Sequence, residues 1–209
     1  MDKAGIIAKT RALMNEAGEE EALSLLSEDT VKLDVYIESV IPDAVNILSS
    51  MEGIDPMLLP LGSVQSVTIG EECSVIELPG DYIRFGAVRL SGWKREAQVC
   101  YPHGGEEYKI DHNPVTAPGV NKPSCVYAYS INGRCIECFP KGDLVYFKYV
   151  KRVGDSDVES ALSMLDGRLF GALCYACASL VYNIFEMADQ GKRMMEIALA
   201  TIPTNKEQA

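Results

Sequence analysis

The stretch LPGDYIRFGAVRLSGWKR, residues 78–95, governs the reading of this chain. Residues 82–90 alternate well enough for a β-strand, with Arg84 and Arg89 as its charged members. The stretch also holds the only tryptophan, Trp93, followed by Lys94 and Arg95, in a chain that is otherwise strongly acidic. It carries no catalytic signature. Trp93 suits either a core aromatic at a strand end or an interface anchor, since Trp and Arg are favoured at the centres of interfaces.

On both sides of this strand the pattern stays β-like. Residues 64–69, 75–78, 97–101, 124–130, 134–139 and 144–150 form short apolar or alternating runs. Asn132-Gly133 separates two of them and suits the positive φ angles of a tight type I′ turn, which predicts a hairpin over residues 124–139. Residues 102–123 hold Pro102, Pro114, Pro118 and Pro123 with Gly104, Gly105 and Gly119, the composition of a long loop or extended arm.

Farther out the period changes to that of helices. Residues 3–16 place Ile6, Ile7, Leu13 and Met14 near one face, and Gly18 comes next as a stop. Asp29 or Thr30 can cap the next helix, whose Val31, Leu33, Val35, Ile37, Val40 and Ile41 suit burial on more than one side. Pro42 either kinks that helix or opens a second one over 43–50. Gly53, Pro56 and Pro60 mark a loop. Beyond the β-like region, Ser156-Asp157-Val158-Glu159 has the form of a capping box that opens a helical tail. Gly167 and Gly171 interrupt or bend that tail. Leu169, Phe170, Leu173, Ala176, Cys177, Leu180, Ile184 and Met187 then trace one apolar helix face, and Pro203 ends the helical tail.

The expected fold class is α+β: a helical bundle formed by the N- and C-terminal helices, with an inserted antiparallel β module. The expected divisions are residues 1–62, 63–153 with the long loop 102–123, and 154–209. Neither terminal helical segment can build a core alone, so each packs on the other and the β module becomes an insertion.

The totals bound function. At 209 residues the chain can bury a real core. Nineteen basic against thirty acidic residues, a net charge of −11, argue against a phosphate-neutralising nucleic-acid binder. An acidic surface can still line a conduit along which DNA slides without sticking. No apolar run reaches membrane-spanning length, and the N-terminus lacks a signal-peptide pattern, which predicts cytoplasmic synthesis and no membrane partner. Seven cysteines in a chain this long predict reduced thiols rather than a disulfide scaffold.

Two CxxC pairs, Cys135/Cys138 and Cys174/Cys177, raise the possibility of zinc. The first pair falls in a strand, where residues three apart face opposite ways, and the second lies mid-helix among alanines. His103 and His112 both sit in the Pro/Gly loop, without the context of a nucleophilic site. No Walker loop, GxGxxG or HExxH occurs. The expectation is a non-enzyme with no cofactor and no metal.

Several short motifs share an order that resembles the head–tail connector (adaptor, or ring) proteins of tailed bacteriophages, of the crAss-like, podovirus type. They are Met14-Asn15-Glu16, Leu33-Asp34-Val35-Tyr36-Ile37 and Ile41-Pro42-Asp43-Ala44. Leu78-Pro79, Asp81-Tyr82-Ile83-Arg84, the run 88–95, Lys122-Pro123 and Ile136-Glu137 complete the series, which covers nearly the whole chain. The resemblance implies a virion structural protein at the head–tail junction, made in the bacterial host. It implies a ring homo-oligomer beneath the portal protein, touching adjacent tail or ring proteins, with DNA passing through its channel without specific binding. Arg84, Arg89, Trp93, Lys94 and Arg95 would then make subunit or neighbouring-ring contacts. Two alternatives stand beside it: another tail ring or tail-tube component, and a zinc- or thiol-dependent protein using the CxxC pairs.

Overall fold

In the computed structural model, residues 1–17, 30–106 and 127–203 are described. They form an α+β fold, with helices before and after two β-sheets. The chain divides into a helical unit, Met1–Pro60 with Arg152–Ala209, and a β unit, Leu61–Lys151.

The helical unit contains α1 (Lys3–Ala17), α2 (Thr30–Ser50), α3 (Val158–Met164), α4 (Phe170–Ile184) and α5 (Ala188–Ala200). Asp2 caps α1, its carboxylate accepting from the Gly5 amide at 2.7 Å. Helix α2 buries Leu33, Ile37, Val40, Ile41, Ala44, Val45 and Leu48, a single stripe of helical period. Val35 is 61% exposed, so burial is on one side and not on several. The helix runs through Pro42 without a break. A proline inside a helix costs about 3 kcal/mol, whereas each fully buried aliphatic side chain contributes about 1.5–3 kcal/mol; the stripe outweighs the proline. Lys3–Glu38 (2.5 Å) and Arg11–Asp34 tie α1 to α2, the later residue of one helix meeting the earlier of the other, an antiparallel pairing.

Helix α4 is the centre of the unit and packs against α1, α2 and α5. Nine of its residues are buried, from Ala172 to Tyr182, and at 3.6 residues per turn they cover the full circumference. The sequence suggests one apolar face; instead Ile184 is 46% exposed and the burial is all round. Most of the nine are small (Ala172, Cys174, Ala176, Cys177, Ala178, Ser179), so neighbouring backbones come close. Gly191 of α5 shows how close: a Cβ there would lie 3.1 Å from the Ser179 carbonyl oxygen. The Ser179 hydroxyl donates to the Gly191 carbonyl at 2.7 Å, and that of Tyr182 to the Met14 carbonyl at 2.9 Å, so these buried hydroxyls are satisfied.

Two local readings of the sequence are corrected here. Ser156 does not cap a helix: residues 155–157 form a short 3₁₀ turn, and α3 begins at Val158 with no side-chain cap bond. The tail is also not one helix after Gly171, which sits inside α4. The break falls at 185–187, where Glu186 has φ +60°. The Met187 amide donates to Tyr182 O (2.9 Å) and the Glu186 amide to Asn183 O (3.1 Å), the pair of bonds of a Schellman motif with glutamate in the position usually held by glycine.

Asn46 joins α2 to the point where the chain re-enters this unit. Its side-chain amide donates to Val153 O at 2.9 Å, and its oxygen accepts from Val153 N at 2.8 Å. Both groups of that peptide edge are thereby paired by one side chain.

The β unit holds β1 (Leu61–Val64), β2 (Thr68–Ile69), β3 (Ser74–Glu77), β4 (Tyr82–Leu90), β5 (Cys100–Pro102), β6 (Tyr127–Ile131), β7 (Cys135–Phe139) and β8 (Leu144–Lys151). One sheet has the order β1-β8-β4 and the other β2-β3-β7-β6-β5. The expected antiparallel module is corrected at one edge: β5 pairs with β6 in parallel, and every other pair is antiparallel. The core lies between the sheets, with Val88, Leu90, Phe147 and Tyr149 from one and Ile76, Ala128, Ile136 and Cys138 from the other. Gly62 is required opposite Tyr149, whose ring would lie 2.3 Å from a Cβ there. The Tyr149 hydroxyl donates to Asp81 at 2.9 Å.

The hairpin at Asn132-Gly133 is present, with φ of +50° and +65° and the Arg134 amide donating to Ile131 O at 3.0 Å. The register pairs Ile131 with Cys135, so Arg134 is one residue more than the tight two-residue loop requires. The long-loop reading falls mostly on 107–126, outside the described residues.

Glu186 supplies a test of the helical unit. A non-glycine residue in the left-handed region costs about 1–2 kcal/mol, so Glu186→Gly is expected to raise stability by roughly 1 kcal/mol, read as a shift in urea midpoint. An unchanged or lower midpoint would contradict the strain assigned to this break.

Candidate interaction surface

Strand β4 positions the residues singled out from the sequence. Arg84 and Arg89 are an odd number of residues apart and would face opposite ways on a regular strand. The register shift between Phe85 and Ala87 inserts one extra residue at Gly86. Arg84, Ala87 and Arg89 therefore pair with Val150, Lys148 and Tyr146, alternate residues of β8 that share one face. A bulge puts both arginines on the face turned away from the core.

After β4 the chain turns at residues 90–93. Gly92 has φ +80°, and the Trp93 amide donates to Leu90 O at 3.2 Å, as in a type II turn. The turn sends Trp93 back into the core. Trp93 is 5% exposed, packs in the cluster between the sheets, and donates its indole N–H to Pro140 O at 2.7 Å. Its expected role as an interface anchor is corrected on this ground: nearly all its surface and its one donor are already used inside the β unit. Lys94 and Arg95, by contrast, are exposed, as is Arg89; Arg84 is half-buried.

The structure adds residues that the sequence did not single out. Tyr146 and Lys148 on β8 lie beside Arg89, and Glu96 comes directly after Arg95. The Tyr146 hydroxyl donates to one Glu96 oxygen, and the Gln98 amide to the other at 2.8 Å. These bonds, with the nearby Lys148 and Arg89 charges, hold the Glu96 carboxyl below its ordinary pKa, while the bond to Glu96 pushes the Tyr146 phenol up. The Lys148 ammonium sits 5.5 Å from the Tyr146 ring centroid. Arg89 and Lys148, both exposed, act on this engaged carboxylate, and Lys94 and Arg95, also exposed, come just before it in the chain. No signal local to the sequence joins Lys148 to Arg89; strand pairing does.

Charge is divided unequally along the chain. The segments of the helical unit hold 9 basic and 20 acidic residues, and the β unit 10 and 10. The whole net charge of −11 therefore belongs to the helical unit.

The CxxC pairs are placed apart. Cys138 is buried in the core face of β7, and Cys135 lies on the other face. Cys100 shares a row with Ala128 and Cys138 across β5, β6 and β7. Two strand spacings, roughly 9–10 Å, exceed disulfide reach. Burial pushes the Cys100 thiol up to about 12 and the Cys174 thiol up to about 11, and raises Cys138 and Cys177 further. Cys135 is raised by burial and then by Glu137 and Glu77, and Cys73 by burial and then by Glu137 and Glu72. Carboxylate neighbours disfavour a thiolate. Among the described residues no three or more His, Cys, Asp and Glu side chains converge on a metal position. His103 lies with Nε2 3.6 Å from a Glu137 oxygen; Cys125 and His112 are outside the described residues.

A scan against protein-family models and a search of curated proteins give no match to this chain.

Two measurements check this placement. Trp93→Ala is expected to destabilise the β unit by about 3–5 kcal/mol, seen in urea unfolding of the isolated protein; a loss below about 1 kcal/mol would return Trp93 to the surface. In the native protein, Cys138, Cys174 and Cys177 are expected to resist an aromatic disulfide reagent until unfolding, while Cys73 and Cys135 react before them. Mass-mapped labelling of the buried three in the folded state would overturn their burial.

Proposed function

We propose that this protein is a structural subunit of a tailed-phage virion. It assembles as a ring beneath the portal protein, joins the capsid to the tail and surrounds the DNA path. The observation that carries this reading is the division of charge between the two units. A helical unit bearing −11 offers phosphate no site, so DNA passes it without arrest. The neutral β unit with its exposed cationic strip supplies a separate surface for protein neighbours. The α+β architecture, with a β unit set between helical segments, is the one expected from the sequence pattern itself.

The test is the mass of the purified protein by light scattering over a concentration series, alone and with the portal protein. A closed species of fixed subunit number, in either condition, is the expected result. A strict monomer that ignores the portal would remove the connector role. Particle imaging with labelled protein then separates the head–tail junction from a position farther down the tail.

A further inference from the structure

We infer that the cationic end of the three-stranded sheet, Arg89 and Lys148 with Lys94 and Arg95 in the adjoining turn, docks against the acidic helical unit of a second copy of this chain. The inference deepens the ring reading and rests on it for its setting.

All four cations are exposed, and none forms an ion pair among the described residues. Among the described residues the carboxylates placed at this end are Glu96, engaged by Tyr146 and Gln98, and the exposed Asp143, bonded through its backbone to Ser91, fewer than the cations. The strip therefore keeps a surplus of positive charge and of guanidinium and ammonium donors. Tyr146 and the exposed Val145 add apolar surface at the same end of β8.

Charge complementarity selects the occupant. Two copies meeting through their helical units would set −11 against −11. Two copies meeting strip to strip would set cations against cations. Strip against helical unit sets the cations against the unit that holds the whole net negative charge, and each copy carries one of each. In a ring such a contact is heterologous: every subunit donates its strip to one neighbour and its helical unit to the other, so the contact propagates and closes where the geometry allows, whereas reciprocal pairing of two copies would stop at a dimer. Nucleic acid also offers anionic charge, and the experiment below separates it from a second copy. The contact lies near the surface and is therefore screened by salt, since charges farther apart than about 10 Å scarcely interact at 0.1 M ionic strength.

The experiment uses the full chain and the double variant Arg89→Glu/Lys148→Glu, with folding checked by circular dichroism and the emission of Trp93. Lys94→Glu/Arg95→Glu, in the turn, replaces it if the strand variant fails to fold. Light scattering is expected to show wild-type oligomers that dissociate with added salt, and at least a tenfold weaker self-association in the variant. A tagged variant is expected to capture wild-type protein through its intact helical unit but not to capture itself, the result that a strip-to-helical-unit contact gives.

A variant that still forms the wild-type oligomer would overturn the strip while leaving the ring reading intact. Strip-dependent growth into chains of no fixed mass would support the contact and remove the closed ring. A wild-type monomer under all conditions would remove both. Strip-dependent binding of a 20-base-pair duplex, followed by fluorescence anisotropy with no change in protein mass, would overturn the second copy in favour of nucleic acid.

Discussion

The helical unit depends on one constraint: α4 is apolar and small-residue-rich on every side, so it must be enclosed on every side. No single neighbour can do this. Helices α1 and α2 come from before the β unit and α5 from after it, and all three close on α4. The enclosure forces distant parts of the chain together and leaves the residues between them to form their own unit. Gly191 and the buried hydroxyls of Ser179 and Tyr182 are local consequences, for a helix wrapped this closely needs room for backbones and partners for each polar group.

The β unit solves a different problem with different means. Its two sheets share one core, and its loops are pinned from inside it. Trp93 holds Pro140, and Ser74 both donates to and accepts from Gly142, at 2.8 and 2.9 Å. The tryptophan that gives residues 78–95 their prominence is thus a fastening of the module. Because it is folded inward, the charged residues beside it are left standing on the surface. Burial of one and exposure of the others are the same event, set by the turn at Gly92.

Much of this was legible in the sequence where it is local. The alternation of residues 82–90, the Asn132-Gly133 turn and the periodicity of α1 each arise from a few adjacent residues, and each element is where those residues place it. What escaped depends on residues far apart or on atypical chemistry. The helix break at Glu186 carries no glycine to announce it. The Ser156 cap competes with a 3₁₀ turn that starts at Asp155. The facing of Arg84 and Arg89 turns on a bulge, and the meeting of Arg89 with Lys148 turns on a strand pairing nearly sixty residues away in sequence. Composition gave the total charge of −11, but its confinement to one unit becomes visible only when the unit boundaries are known.

Strand pairing at the edge of the β unit bears on how the whole chain folds. Leu61 and Val150 are partners in β1 and β8, so the entry and exit of an insertion of about ninety residues sit side by side. For the helical unit this is a shortcut in chain length. If the β unit forms first, α2 and α3 are joined by an effective loop of sixteen residues, 51–60 and 152–157, instead of 107. The closure entropy saved, scaling as three-halves RT times the logarithm of the length ratio, is roughly 1.7 kcal/mol. A β unit formed in that order would bring nearer the two chain segments that close around α4, and substitutions that slow β1–β8 pairing would then slow the closure of the helical core.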